Sequence, residues 1–135
     1  MARRSNHLLN TVPYLIHTNR ELGLMLKGAK PLAKFSDVKE RFPDAVLRYL
    51  RMFDRHVEAG RILRRDEFVE DKQFGLLHYV YFALPGEEWR IEAMHKLMTG
   101  PGRWTRAHER EEGELLGYTP EQIEIWLEQF YAGRD

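Results

Sequence analysis

Cysteine is absent from the chain, and serine is nearly so, with Ser5 and Ser36 its only two examples. Without a thiol there is no disulfide, no thiolate nucleophile and no cysteine-bound zinc, which fits a reducing, cytoplasmic setting. Neither serine stands in a Gly-x-Ser-x-Gly elbow, so serine acyl-transfer chemistry is disfavoured. Long apolar runs are missing as well. No window approaches the roughly 18 consecutive apolar residues of a membrane span, and the stretch after Arg3-Arg4 is broken by Asn6, His7, Asn10, Thr11 and Pro13. That segment reads as a basic N-terminal arm rather than an export signal. Phosphate loops are also lacking: Gly100-Pro101-Gly102 is too short and has no Lys-Ser/Thr ending, and no Gly-x-Gly-x-x-Gly follows a strand.

Net charge is the last absence, since 21 Lys+Arg meet 21 Asp+Glu. The neutrality conceals a division. Residues 1–65 hold 14 basic and 6 acidic side chains, and residues 66–135 hold 7 and 15, so a segment near +8 precedes one near −8. Such a field bears on partners and association, not on fold.

What is present is enough apolar material for one domain over residues 1–135, with 43% hydrophobic residues. Val12 to His17 is a short β-prone run. Leu22, Leu24 and Leu26 alternate ahead of Lys27-Gly28-Ala29-Lys30, so residues 20–35 read as a hairpin, with a helix as the competitor. Asp37 to Gly60 contains a helix: Val46, Tyr49, Leu50, Phe53 and Val57 share one arc, and Arg48, Arg51 and Arg55 lie opposite. Ile62 to Val69 and Phe74 to Leu84 form an antiparallel pair, the second apolar on both faces and therefore central. Pro85-Gly86 opens a helix through about Met98, another spans Thr105 to Leu116, and Thr119-Pro120-Glu121-Gln122 is a capping box for a third. The expected fold is α+β, an antiparallel sheet of about four to five strands with three to four helices concentrated in the C-terminal half.

Chemistry is hinted at in one place. Arg90 falls within the apolar arc of its helix and calls for a partner, and Trp104, His108, Glu111 and Glu112 project from the next; the expected pairing is Arg90 with Glu111 or Glu112. These five residues are the candidate ligand-binding set, with an anion as the natural guest of the guanidinium. His108 and Glu112 have the spacing of a helical zinc pair, but the second histidine of that pattern is replaced by glutamate, so neither a metal nor a cofactor is expected. Three functional readings follow. The first is a non-enzymatic interaction or regulatory protein that forms a homodimer or binds another protein through its opposed charges. The second is a small-ligand-binding protein or enzyme around Arg90, His108, Glu111 and Glu112. The third is phosphate-backbone binding by Arg48, Arg51 and Arg55, which a pI near 7.0 does not favour.

Overall fold

A strand with apolar residues on both faces has to be covered on both, and the rest of the chain is arranged to do that. A computed structural model describes residues 12–131, so the N-terminal arm with Arg3, Arg4 and Ser5 lies outside the described residues. Along the chain come α1 (Glu21–Leu26), β1 (Leu32–Val38), α2 (Asp44–Glu58), β2 (Leu63–Asp71), β3 (Gly75–Ala83), α3 (Trp89–Thr99), α4 (Arg106–Leu116) and α5 (Pro120–Tyr131). β3 is central, in the order β1-β3-β2, with both neighbours antiparallel to it. Leu32 and Leu63 both pair with Ala83, and the ladders run out to Val38 opposite Leu77 and Asp71 opposite Gly75. β1 and β2 are therefore parallel to each other, and α2 crosses one face of β3 to connect them.

Alternation along β3 divides the core in two. Val80 and Phe82 join Ala33 of β1, Leu50 and Phe53 of α2, Leu22 and Met25 of α1, and Ile62. Tyr81 and Ala83 face the other way, onto Ile91 and Met94 of α3, Leu115 and Leu116 of α4, and Ile123 and Leu127 of α5. The molecule thus has three layers, with α1 and α2 on one side of the sheet and α3, α4 and α5 on the other.

The α+β class and the antiparallel sheet agree with the sequence reading, but the detail does not. Three strands stand in place of four to five, and five helices among the described residues are distributed along the chain rather than gathered at its end. The 20–35 hairpin is the main error. Leu22 and Met25, three residues apart, are the buried pair of a one-and-a-half-turn helix, and Leu26 is exposed. Six residues are too few for the apolar spacing to separate period two from period 3.6. Gly28, with φ of 76°, closes this helix ahead of β1. The Val12–His17 run is not a strand either; Val12 and Ile16 pack on Trp126 of α5.

The locally encoded ends held. Gln122 N–H donates to Thr119 Oγ1 at 3.1 Å while Thr119 N–H donates to Gln122 Oε1 at 2.9 Å, the reciprocal capping box. The β2–β3 turn is held by Asp71 Oδ1, which accepts from the N–H groups of Gln73 and Phe74. No helix among the described residues is long and apolar enough to cross a membrane.

Candidate functional site

The last turn of α4 leaves carbonyls without intrahelical partners, as every helix end does, and two basic side chains from distant parts of the chain cover them. Arg90 donates from Nη1 to Glu114 O at 3.0 Å and Leu115 O at 3.1 Å. Lys30 donates from Nζ to Leu116 O at 2.9 Å. The Arg90 guanidinium also suits the negative end of the helix dipole.

Lys30 is 1% exposed. Gly117 and Pro31 put it there. Gly117 turns the chain out of α4 at φ of 96°, and a β-carbon on it would collide with the Pro31 ring. Glycine thereby lets the start of β1 lie directly against the end of α4. On the other side of Nζ, 2.9 Å away, is His17 Nδ1. The His17 ring stacks on Tyr118 with centroids 3.8 Å apart, its backbone N–H donates to the Tyr118 hydroxyl at 2.8 Å, and Nζ lies 5.8 Å from the Tyr118 ring centre.

This setting alters both bases. Burial lowers the Lys30 pKa to about 7, against the pull of the Glu21 and Glu112 carboxylates. Burial and the neighbouring Lys30 lower that of His17 to about 3, so the imidazole is neutral across the physiological range. Burial raises the Glu21 carboxyl, although the Tyr49 hydroxyl donates to its Oε1 at 3.1 Å. Burial would also raise Glu112, but nearby positive charge, Lys34 included, more than offsets it and the net shift is downward. Lys34 Nζ is 3.5 Å from Glu112 Oε2.

Two spaces adjoin these groups. A cavity of about 60 Å³ is lined by His17, Glu21, Lys30, Leu116 and Tyr118, with Thr18, Ala33 and Lys34 completing it. A cleft of about 920 Å³ lies between α1, β1 and α2, with Phe35, Phe42, Val46, Tyr49 and Met52 as its apolar wall. Thr18, Glu21 and Lys34 border both spaces.

The residues singled out in the sequence occupy other places. Arg90 pairs with Glu87 at 3.0 Å and lies over the Trp89 ring, so the expected bridge to Glu111 or Glu112 is replaced by Glu87 and the α4 carbonyls. Trp104 Nε1 donates to Glu109 at 2.7 Å. His108 uses Nδ1 to cap its own helix at Thr105, and its ring lies 5.2 Å from that of Trp104. His108 and the exposed Glu111 border a groove of about 640 Å³ with Trp89, Lys96 and Pro101. Glu112 is turned inward to Lys34 instead. Arg48 edges the 920 Å³ cleft, and Arg51 and Arg55 are exposed on α2. Among the described residues, no three His, Asp or Glu side chains gather as a metal site.

The buried face of α4 runs through other residues than the candidate set. Ala107 and Glu111 are exposed, whereas Glu109, Glu112, Gly113 and Leu116 are buried at i, i+3, i+4 and i+7. Glu109 is accepted inside because its oxygens receive Trp104 Nε1, Trp126 Nε1 and the Tyr131 hydroxyl. The i, i+3, i+4, i+7 spacing was available in the sequence, but glutamates at two of its four places make it read as a solvent face. For Lys30 there was no signal at all, since a lysine in a Gly-Ala-Lys-Pro turn reads as surface.

Comparison with known protein families, curated proteins and solved structures finds no match to this chain.

Proposed function

We propose that the protein binds a small molecule in the cleft between α1, β1 and α2, with an apolar, ring-sized body against Phe35, Phe42 and Tyr49 and a polar end toward Glu21 and Lys34. The observation that carries this reading is the cleft's composition. An aromatic and aliphatic wall with a few polar groups gathered at one end is the usual make-up of a small-ligand site, and about 920 Å³ is in the range such sites occupy. Its wall is held in shape by edge-to-face packing of Phe35 on Tyr49, with centroids 5.7 Å apart, and by the Tyr49 hydroxyl, which accepts from Leu22 N–H and donates to Glu21. This is the small-ligand alternative of the sequence reading, moved from the α3–α4 groove to the other side of the sheet.

The test is ligand-observed NMR with a panel of aromatic acids and amines, repeated on Ala45→Trp. Ala45 is exposed on the cleft wall, so a bulky side chain there fills the site and leaves the core alone. Binding that disappears in the variant supports the reading; binding that is indifferent to it, or no binding by any member of the panel, overturns it.

Self-association is the second reading. Arg48, Arg51 and Arg55 form no ion pair among the described residues and are flanked on α2 by exposed Leu47 and Met52. An acidic surface of a second copy would complement that stripe. Sedimentation at low and high salt decides it: a salt-sensitive dimer supports it, and a monomer at both rejects it. Retention of nucleic acid would shift the same stripe to phosphate binding.

A further inference from the structure

Two lysines line the small cavity, and they are equipped differently. Lys34 has a carboxylate, Glu112, as its partner. Lys30 has no ion pair among the described residues, and both groups hydrogen-bonded to its Nζ are uncharged, an imidazole nitrogen and a backbone carbonyl. A lysine kept for charge alone would be matched to a carboxylate, since burying an unpaired ammonium is costly. A neutral amine fits better. Its two N–H groups satisfy His17 Nδ1 and Leu116 O, and its lone pair is left for an occupant of the cavity that Nζ adjoins.

We propose that Lys30 is an imine-forming lysine that captures the carbonyl group of an aldehyde or ketone, the carbonyl seated in the small cavity and an apolar body lying in the cleft. This rests on the cleft being the ligand site. The cavity of about 60 Å³ accepts a carbonyl head group and little more, so the remainder of the ligand must leave past Thr18, Glu21 and Lys34, the residues common to both spaces. The depressed amine pKa is consistent with the role, because desolvation is one way proteins make a lysine nucleophilic at neutral pH. In the reaction the lone pair of Nζ attacks the carbonyl carbon and a proton passes from nitrogen to oxygen, giving a carbinolamine. The C–O bond then breaks, the oxygen departs as water with the second amine proton balancing it, and a C=N bond remains. Glu21, which borders both spaces, is placed to relay that proton from the nitrogen to the departing hydroxyl. No oxidant, reductant or metal is required.

The experiment is reductive trapping on the full chain near neutral pH. The protein is treated with benzaldehyde and, separately, with formaldehyde, each with borohydride to reduce any imine to a stable amine. Peptide mass mapping then locates the adducts. Lys30 is expected to be labelled by both, about tenfold or more faster than Lys27, Lys39, Lys72 or Lys96, as befits an amine with a larger neutral fraction. Lys30→Met should remove that adduct and leave the others. Adducts spread over the surface lysines with Lys30 unmodified in the folded wild type would overturn the inference, and this reading needs no variant to fold. The lysine and the cleft are tested separately by the two aldehydes. Lys30 labelled by formaldehyde but not by benzaldehyde keeps the lysine and discards the cleft as the seat of the ligand's body. Aromatic ligands that bind the cleft while Lys30 stays unlabelled keep the cleft and discard the imine.

Discussion

The two faces of the sheet are built by different means. On the α1–α2 face, Phe35, Phe53 and Phe82 pack ring on ring, with Phe53 stacked on Phe82 at 4.1 Å between centroids, and charge stays at the margin, where Arg64 ties Asp54 of α2 to Asp66 of β2. On the α3–α5 face, Lys30, Glu109 and Glu112 are buried in or beside the core and satisfied by named donors and acceptors. The first face depends on area and volume, which are indifferent to pH and forgiving of exact partners. The second depends on direction and protonation. Chemistry therefore belongs at the border of the second, because there the fold holds the Lys30 amine away from water.

The largest expected effect tests the apolar side. Phe53→Ala should cost about 3–5 kcal/mol in urea unfolding, as large-to-small changes in a packed core do, and the loss should be the same at pH 6 and pH 9, rough bounds of the range free of major unfolding by acid or base. A loss that changes with pH would break the distinction between the faces. Next in size is the Lys30 contribution. The unfolded chain holds the lysine proton up to 10.5, whereas the folded one releases it near 7, so folding becomes more favourable as pH climbs between those values. Relative to Lys30→Met, the wild type should gain about 3 kcal/mol between about pH 7 and pH 9.5, below the range in which tyrosines ionise. The facing groups in this comparison are His17, Glu21, Glu112 and Tyr118. A flat difference between the two proteins would mean that Lys30 keeps its proton in the fold. Smallest is Gly117→Ala, expected to cost about 2 kcal/mol through its left-handed backbone and the Pro31 ring. It sharpens the comparison if amide exchange quickens near Leu116 and Tyr118 while the Phe53 region is unmoved.

Those experiments also separate what was readable in the chain from what was not. The capping box at Thr119 and Gln122 and the apolar arc of α2 were legible because each is decided within a few residues of itself. The short helix at Glu21–Leu26 was not, since in six residues its local pattern is ambiguous and its buried pair is defined only by α2 and β3 packing above it.

By itself, then, the sequence determined the α+β character, the central hairpin and the ends of the longer helices, all consequences of spacing, turn chemistry and capping. The tertiary structure alone decided which charged residues are inside. Lys30 meets Leu116 across 86 positions of the chain, and Glu109 meets Trp126 across 17. The properties of a lysine depend on how much water surrounds it, and that is set by residues remote in sequence that only the fold brings together.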